Sequence, residues 1–328
     1  MRIKILKGLL RSKLTKKPVL LSHLVTRSCN LDCPYCLWKK NGLDAMNTEE
    51  VLKVHSDAAK NGFIGCFLWG GEPLLRKDID KILAFDRKLG WWITMATNGS
   101  YLMPQAEAVA KNVNDLLVSI DSPSTVLDKI RKEEGTFEAC KKGIRAVKAI
   151  NPKCNIKICC VISKHNKDSV KEVCAFAQQE KCGVIFQHID KNPGLRKFSE
   201  NPDINQEERD QVIKEIITLK EKKYPIFNSY TYLKQFMSSG KKYSCRSQNL
   251  YFTVWPNGEV SGCATGKYYG NVLKDGIRKI LNSPEYASFL KVSNKCSKCN
   301  DSGTWETTHL YSLRGEALLN LIRSYRMV

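Results

Sequence analysis

The first 225 residues or so alternate short apolar runs with amphipathic stretches. The apolar runs predict strands at 19–26, 66–70, 91–97, 116–121, 154–162 and 183–189. The stretches between them, such as TEEVLKVHSDAAKNG, repeat apolar residues at helical spacing, and several end at glycine, a common helix C-cap. Near-continuous apolar strands that alternate with helices indicate parallel strands covered on their outer face. Six such units predict an α/β fold with a partial (β/α)6 TIM-type barrel.

Polar or glycine-rich segments follow the first four predicted strands. A cysteine cluster follows the first strand, GGEP at 70–73 follows the second, TNG at 97–99 follows the third, and SID at 119–121 ends the fourth. In barrels of this type the functional loops follow the carboxyl ends of the strands. The four segments therefore predict one active-site face.

The pattern changes after about residue 225. The apolar run 250–255, turned by Pro-Asn-Gly at 256–258, predicts a hairpin, and short helices are predicted near 275–282 and 284–291. We expect a basic amphipathic segment, a barrel, a small cysteine-rich domain and a C-terminal amphipathic helix, at 1–18, 19–225, 240–305 and 306–328.

Composition places the chain in the cytoplasm. Hydrophobic residues make up 42% and charged residues 26%, and no apolar run approaches the roughly 20 residues of a membrane span. The start, MRIKILKGLLRSKL, lacks the uninterrupted apolar centre of a signal peptide. The net charge is +20, but lysines are scattered over predicted helices and no nucleic-acid-binding signature accompanies them. We do not expect nucleic acid as a partner.

The 14 cysteines fall into two groups. In the cytoplasm they are expected to be thiols or metal ligands rather than disulfides. Half of them lie in apolar stretches, where cysteine behaves as a small hydrophobic residue. The other half lie among Pro, Asn, Asp and Gly, in predicted loops: Cys29, Cys33, Cys36, Cys245, Cys263, Cys296 and Cys299.

The stretch CNLDCPYC places three cysteines in eight residues. A structural zinc site requires four ligands, and a disulfide framework requires an even number of cysteines. Three thiolates leave an open position on the metal group that they bind. A lone C-x3-C-x2-C also occurs by accident or in zinc sites, so its context decides the assignment.

That context resembles the radical S-adenosylmethionine superfamily. The match consists of Cys29-x3-Cys33-x2-Cys36, with Tyr35 before the last cysteine, after the first strand of a partial barrel. The resemblance implies that the three cysteines bind three irons of a [4Fe–4S] cluster, while S-adenosylmethionine chelates the fourth.

The resemblance covers about residues 19–222. It implies contacts to S-adenosylmethionine from Gly70, Gly71, Glu72, Pro73, Asn98, Ser119, Asp121 and Arg131. The run DKIRKEEGTFEACKKGI resembles the family's H-D-x-x-R-x-x-x-G-x-F segment, with Arg131 as a carboxylate contact and Asp128 aligned. Leu127 stands where the family has histidine, which weakens this segment's match but does not affect the cluster assignment.

The second set of loop cysteines, at 245, 263, 296 and 299, resembles the auxiliary-cluster domains of the same superfamily. The longer form continues with further cysteines, but Trp305 occupies the position six after Cys299. The resemblance is therefore to the shortened "twitch" form, with one fully ligated auxiliary [4Fe–4S] cluster. Tetrahedral zinc would accept the same four thiolates and remains an alternative.

The resemblance implies a mechanism in which a ferredoxin or flavodoxin reduces the first cluster. S-adenosylmethionine is then cleaved to methionine and a 5′-deoxyadenosyl radical, which removes hydrogen from an unactivated C–H bond. The auxiliary cluster would take or relay the substrate's electron. The donor proteins are commonly acidic, so part of the basic surface is a candidate docking patch.

Three substrate classes remain: a small metabolite, a lipid, and a peptide. Peptide maturases of the family often begin with a leader-binding domain, and only 28 residues precede Cys29, so a separate carrier would be required. A lipid would suit terminal helices that contact a membrane, since 1–17 and 310–328 each combine an apolar stripe with basic residues. Packing of both stripes on the barrel is the alternative.

An iron–sulfur protein without turnover is the alternative from another class. We assign no catalytic role to His188, Asp190, Arg246 or Tyr251, because nothing in the sequence pairs them. His23 lies inside the first predicted strand and is expected to pack in the barrel.

Overall fold

The computed structural model describes residues 2–42, 45–189, 201–238, 243–262, 268–297 and 299–324. Over these residues the strands are β1 (Leu20–Thr26), β2 (Gly65–Gly70), β3 (Trp92–Thr97), β4 (Asp115–Ser119), β5 (Asn155–Ile162), β6 (Gly183–His188), β7 (Tyr251–Val254), β8 (Glu259–Ser261) and β9 (Tyr268–Asn271). They form a single sheet in the order β6-β5-β4-β3-β2-β1-β7-β8-β9.

The described residues contain 14 α-helices, several of which alternate with the first six strands. They are α1 (Arg2–Thr15), α2 (Thr48–Lys60), α3 (Ile79–Lys88), α4 (Ala106–Asn112), α5 (Thr125–Arg131), α6 (Thr136–Ile150), α7 (Val170–Gln179), α8 (Gln206–Glu221), α9 (Tyr230–Gln235), α10 (Val272–Asp275), α11 (Ile277–Leu281), α12 (Pro284–Ser293), α13 (Ser302–Tyr311) and α14 (Gly315–Ser324). Strands β1 to β6 pair in parallel with their neighbours. The predicted partial (β/α)6 barrel is confirmed, and each predicted strand lies within two residues of the observed one.

The two faces of strands β2, β3, β4 and β6 differ in burial. In β3, Ile93 and Met95 are fully buried in the core that the strands share with the helices, whereas Trp92 and Thr94 are half-buried. Because successive side chains point to opposite faces, the half-buried set lines the inside of the barrel. The barrel interior is therefore an open lumen rather than a filled core.

The predicted hairpin is confirmed and extends the barrel sheet. Strands β7 and β8 pair antiparallel around a turn in which Gly258 has φ +80°, and β7 pairs in parallel with β1 from Leu20 opposite Tyr251. The hairpin thus continues the sheet at its β1 edge. The division into a barrel and a separate cysteine-rich domain stays a prediction.

Helix α1 covers the end of the barrel at which the strands begin. Its Leu9 packs with Val19 and Leu250, which immediately precede β1 and β7. The Ser12 hydroxyl donates a hydrogen bond to the carbonyl of Asn249 (2.6 Å). This end is opposite to the carboxyl ends of the strands, where the predicted site segments lie.

The predicted C-terminal helix is present as two helices. Leu313, between α13 and α14, has φ +56°, a left-handed conformation that a continuous helix does not contain. Helix α14 is held by Ala317, which is buried, and by Asn320, which donates to the carbonyl of Phe227 (2.8 Å). Over the described ranges, we find no helix with both the length and the apolar character that crossing a membrane requires.

Candidate active site

Two glycines bring the end of β2 against the start of the cysteine loop. The amide of Gly71 donates to the carbonyl of Thr26 (2.7 Å), and the amide of Glu72 donates to the carbonyl of Ser28 (2.9 Å). A Cβ atom would lie 2.1 Å from the Thr26 oxygen at Gly70 and 2.2 Å from the Ser28 oxygen at Gly71, closer than real Cβ contacts. Both positions therefore require glycine.

The carboxyl group of Glu72 joins the end of β2 to the turn after β3. It is fully buried, and its Oε1 accepts hydrogen bonds from the amide of Leu74 (2.9 Å) and the hydroxyl of Thr97 (2.8 Å). Its Oε2 accepts from the amide of Asn98 (2.6 Å). Burial raises the pKa of Glu72 from 4.5 to about 7, although these hydrogen bonds oppose the shift. Pro73 follows and begins a short 3₁₀ turn.

Asn98 reaches from the turn after β3 to the first cysteine. Its Nδ2 donates to the side chain of Asn30 (2.9 Å) and to the Sγ of Cys29 (3.6 Å). The amide of Cys29 donates to the side-chain oxygen of Asn41 (3.1 Å), farther along the same loop. The loop is thus held both by the barrel and by its own polar side chains.

A buried guanidinium group lies against the second cysteine. Arg131 donates from Nη1 to the Sγ of Cys33 (3.3 Å) and pairs through Nη2 with Asp121. The Asp121 carboxylate also accepts from the Tyr35 hydroxyl and from the amide of Val161 (2.8 Å). Asp121 is fully buried, so these protein donors fix its position and, through it, the position of Arg131.

The three loop cysteines match the ligand set of a [4Fe–4S] cluster with one open iron, because a cubane takes one thiolate per iron. Burial raises the pKa of the Cys29 and Cys33 thiols, and the neighbouring Arg131 opposes this shift at Cys33. Within the described part of the chain, no three His, Cys, Asp or Glu side chains converge as the ligands of one ion would. The cysteines of such a cluster lie around it rather than meeting at a point.

Two polar groups near the cysteine loop have no partner among the described residues. The Nε atom of Arg131 is buried without a hydrogen bond. Ser119 is half-buried at the carboxyl end of β4, and no hydrogen bond to its hydroxyl is found over the described ranges. A polar ligand in the lumen would satisfy such groups. The residues present therefore fit S-adenosylmethionine, although each individual contact to it stays a prediction.

The described cysteines of the second set, Cys245, Cys296 and Cys299, also lie near one another. The amide of Cys245 donates to the carbonyl of Cys296 (2.8 Å), and the Sγ of Cys299 accepts from the amide of Asp301 (3.4 Å). Burial is the largest cause of the raised pKa of Tyr243. The next causes are the neighbouring thiols of Cys299, Cys245 and Cys296. All three thus lie close to one phenol ring. Cys263, the fourth predicted ligand, lies outside the described residues.

This second set adjoins the lumen at β6. Asn300 donates to the carbonyl of Ile189 (3.0 Å), and the Ser302 hydroxyl donates to the side chain of Gln187 (3.4 Å). Gln187 is half-buried on the inner face, next to the carboxyl end of β6. The first cysteine loop follows the carboxyl end of β1, so both sets serve the same lumen.

An aromatic wall beside the cysteine loop was not predicted from the sequence. Trp38 meets Trp69 edge to face with ring centroids 4.8 Å apart, and Trp69 stacks on Phe67 at 6.1 Å. Trp69 also donates from Nε1 to the Ser22 hydroxyl (2.9 Å). The alternation of Phe67 and Trp69 with buried neighbours along β2 is a period-two signal that could have placed both rings inside the barrel.

A polar network closes the far end of the lumen. Asp115 accepts hydrogen bonds from Trp92 Nε1 (2.7 Å) and Lys157 Nζ (2.9 Å), and it also accepts one from Asn155. These residues lie at or near the first positions of β3, β4 and β5. Lys157 and Asp115 form an ion pair in this layer, and helix α1 covers the same end of the barrel, so the two together form its floor.

The residues without an assigned role are placed as follows. The His188 ring packs on Phe236, with centroids 4.3 Å apart, and the Arg246 amide donates to the Thr308 hydroxyl (3.0 Å). Burial raises the pKa of Tyr251 to about 12. His23 is fully buried, as expected of a residue packed in the barrel, and it lies on the outer face of β1 next to His55. Asp190 lies outside the described residues.

Comparison with known proteins decides the family. A family model described as the radical SAM superfamily matches residues 24–177, and one described as an iron–sulfur cluster-binding domain matches 245–300. The chain is 30% identical over 290 residues to a probable GTP 3′,8-cyclase of Methanococcus aeolicus, covering 84% of this chain and 90% of the relative. The chain belongs to the radical S-adenosylmethionine superfamily.

Some other relatives match over shorter regions. The chain is 28% identical to the Fe-coproporphyrin III synthase of Methanosarcina barkeri over 227 residues, 66% of this chain and 56% of that protein. It spans about half the length of the first curated relatives that it matches.

Solved structures support the fold. A structure of anSMEcpe with bound AdoMet superposes with a TM-score of 0.69 at 16% identity, over 93% of this chain and 99% of the other. Streptococcus suis SuiB bound to precursor peptide SuiA gives 0.68 at 16% identity, over 92% and 79%. At these identities the likeness shows the fold alone.

Membership determines the cofactors. A radical SAM enzyme with a C-terminal iron–sulfur domain uses S-adenosylmethionine, a cluster that binds it, and an auxiliary [4Fe–4S] cluster. From the sequence alone, zinc remained an alternative for the second cysteine set. The match to an iron–sulfur cluster-binding domain favours the auxiliary cluster instead. The predicted family and cofactors are therefore confirmed.

Proposed function

We propose that this radical SAM enzyme removes a hydrogen atom from an unactivated C–H bond of a small metabolite and holds its auxiliary cluster as the acceptor of the substrate's electron. The outcome would be oxidation of the substrate or formation of a new bond on it. The observation that supports this most directly is that both cysteine sets adjoin one open lumen. The first set follows β1, and the second is tied to the end of β6 through Asn300 and Ile189.

The chain's own residues would bind, orient and exclude water. When bound, S-adenosylmethionine and its cluster supply the reductive cleavage that gives methionine and a 5′-deoxyadenosyl radical. The Glu72 carboxyl holds the β2 and β3 loops together, and the pair Arg131–Asp121 holds Cys33. The polar floor around Asp115 closes the other end of the lumen, so substrate would enter from the side of the cysteine loop.

Relatives and the lumen wall both support a small metabolite. The relatives include proteins named for Fe-coproporphyrin III, heme and GTP, all of which contain flat ring systems. Phe67, Trp69 and Trp38 offer aromatic surface beside the first cysteine loop, and such rings stack well on flat ligands. A lipid is the less favoured substrate, because the exposed apolar helix α1 lies at the opposite end of the barrel from the loop.

A peptide substrate is the second candidate. Two structures with the same fold contain peptides: SuiB bound to precursor peptide SuiA, and anSMEcpe with the Cp18Cys peptide. For this chain, the peptide would be presented with a separate leader-binding partner. The proposed electron donor in either case is a ferredoxin or flavodoxin, and the proposed location is the cytoplasm, including the inner face of its membrane.

The test is anaerobic incubation of the reconstituted enzyme with S-adenosylmethionine, a strong reductant and fractions of cell extract. We expect 5′-deoxyadenosine to form faster with the low-molecular-mass fraction than without it. Stimulation by the peptide fraction alone would favour the maturase. No 5′-deoxyadenosine under any condition would favour the alternative of a non-catalytic iron–sulfur protein.

Two cysteine variants assign the roles of the two sets. Cys33→Ala should lose about half of the bound iron and all 5′-deoxyadenosine formation, because its cluster is the one that S-adenosylmethionine requires. Cys299→Ala should also lose about half of the iron but still form 5′-deoxyadenosine while failing to release oxidised product. Cys174→Ala, in the core on α7, is the matched control and should keep both the bound iron and 5′-deoxyadenosine formation.

A further inference from the structure

Helix α1 buries one face on the barrel and leaves a leucine stripe in water. Leu9 and Ser12 are 4% and 0% exposed, whereas Leu6, Leu10 and Leu14 are 52%, 50% and 84% exposed. The three exposed leucines are spaced four residues apart, so they lie along one side of the helix. The stripe spans more than two turns and differs from the scattered single apolar residues of ordinary surfaces.

Helix α1 makes specific contacts to the barrel through its opposite face, so the leucine stripe is the face that points to solvent. The Ser12 hydroxyl donates to the Asn249 carbonyl (2.6 Å), and Arg11 donates to the Asn61 carbonyl (2.7 Å). A Cβ on Gly8 would lie 2.3 Å from the side chain of Ile64, which shows how closely this face approaches the barrel. Rotating the stripe inward would break all of these contacts.

The stripe is flanked by positive charge. At 100° per residue, Lys7 lies on one side of the leucines and Lys13 on the other. The sequence contains no Asp or Glu before Asp32, while Arg or Lys occupies seven of the first 17 positions. An apolar stripe between basic side chains is the pattern of helices that lie in the interface of an anionic bilayer.

The C-terminal corner of the chain adjoins the same surface. The ammonium group of Lys13 lies 5.5 Å from the ring centroid of Tyr311, and Tyr311 packs on the cluster around Leu9. Leu313, two residues on, is 44% exposed, and Arg314 is also exposed. We name this surface the terminal face; it consists of the half-buried Lys13 and of the exposed side chains of Leu6, Leu10, Leu14, Leu313, Lys7 and Arg314.

We propose that the terminal face docks the protein on an anionic phospholipid surface, with α1 lying in the headgroup region. A nucleic acid would use the cations but leave the leucines in water, whereas an anionic bilayer engages both. The proposal does not depend on the proposed reaction. Because α1 covers the end of the barrel where the strands begin, a docked molecule would turn its cysteine loop toward the aqueous side.

The test is co-sedimentation of the cluster-loaded protein with vesicles of phosphatidylcholine, with and without phosphatidylglycerol. We expect the wild type to pellet with the anionic vesicles and to be released by salt. The variant L6S/L10S/L14S should lower the partition coefficient by about tenfold or more, because each leucine loses its transfer into an apolar phase. K7Q/K13Q should lower it by about fivefold for each lysine removed.

The matched control is M103S/V292S, which removes apolar side chains that are 58% and 68% exposed outside the terminal face. It should pellet like the wild type. The leucine variant and the control should keep the wild-type cluster absorption and unfolding midpoint, since their substituted side chains are exposed. The same two measurements check K7Q/K13Q, because Lys13 is half-buried over the Tyr311 ring.

Several outcomes would overturn the proposal. One is equal pelleting of the wild type and the leucine variant, and another is a wild type that stays in the supernatant with anionic vesicles. If the leucine variant instead converts a dimer to a monomer without any vesicle effect, the face is a self-association surface. If the wild type binds RNA but not vesicles, the charge serves nucleic acid.

Discussion

Arg131 donates a hydrogen bond from Nη1 to the Sγ of Cys33 at 3.3 Å, while its Nη2 pairs with the buried Asp121. Arg131 is 7% exposed and its guanidinium is always charged, so it places a positive group against a sulfur that is predicted to bind iron. Hydrogen bonds to cluster sulfurs and nearby charge both influence the reduction potential of a cluster. The contact between Arg131 and Cys33 therefore favours the reduced state of the cluster, which carries the more negative charge.

The first prediction concerns that potential. Arg131→Met should lower the midpoint potential of the first cluster by on the order of 60 mV. This shift corresponds to losing about 1.5 kcal/mol of a charge-assisted hydrogen bond in a one-electron couple. The measurement is a redox titration followed by electron paramagnetic resonance, without S-adenosylmethionine. Arg131→Lys should restore part of the shift.

Arg145→Met is the matched control, since Arg145 pairs with Glu180 on the surface of α6. Its midpoint should equal that of the wild type. An Arg131→Met protein with full iron content and an unchanged midpoint would show that the guanidinium serves only to pack the loop.

The positions of the strands and of the three-cysteine loop are predictable from the sequence because both depend on local patterns. A buried parallel strand is a short apolar run, and its carboxyl end must lie at the active face. The position of Gly70 and Gly71 at the end of β2 is likewise predictable from the sequence. Only the structure shows that the Thr26 and Ser28 carbonyls exclude any side chain there.

Side-chain partners far apart in sequence are not predictable in this way. Glu72 meets Thr97 and Asn98 because β2 and β3 are neighbours, which no local pattern encodes. Helix α5, which ends at Arg131, is too short for helical periodicity to stand out, so it was missed. The addition of β7 to the β1 edge also depends on tertiary packing, because the hairpin alone does not specify its neighbour.

The second prediction follows from the buried carboxyl of Glu72. Its pKa in the folded protein, about 7, is above the unfolded value of 4.5. The folded state therefore holds this proton more tightly, and the associated stability is full below pH 4.5 and lost as pH rises through about 7. The loss should be about 3 kcal/mol.

The measurement compares the free energy of unfolding of wild type and Glu72→Gln across that pH range. The free energy of unfolding of the wild type, minus that of Glu72→Gln, should fall as pH rises toward 7 and then level off above pH 7. An infrared carboxylic-acid band should disappear over the same range in the wild type only. A pH-independent difference for Glu72→Gln would rule out the raised pKa.

The third prediction tests the glycine contact at the cysteine loop. Gly71→Ala should displace the loop, because the new Cβ would lie 2.2 Å from the Ser28 carbonyl oxygen. We expect the variant to lose the first cluster while its auxiliary cluster remains, so bound iron falls by about half. Gly315→Ala, where no atom lies within 4 Å of the added carbon, is the control and should bind iron normally. Full iron content in Gly71→Ala would contradict the predicted displacement.

The fourth prediction concerns a buried network on the outer face of the barrel. His55 Nδ1 lies 2.6 Å from Asp86 Oδ1, and His55 Nε2 lies 2.8 Å from His23 Nδ1. Asp86 is an acceptor, so His55 donates to it from Nδ1 and accepts from His23 at Nε2. All three side chains are fully buried, so His55→Leu would leave the Asp86 carboxylate without this donor and should cost about 3 kcal/mol.

Urea unfolding measures this loss. The network lies outside the lumen, so the iron content of His55→Leu should remain that of the wild type. His165→Leu, at an exposed position, removes a histidine without breaking a buried pair and should unfold at nearly the wild-type urea concentration. If His55→Leu also unfolds there, the buried histidine contributes no more to stability than a leucine of similar volume, and the network has no net stabilising effect.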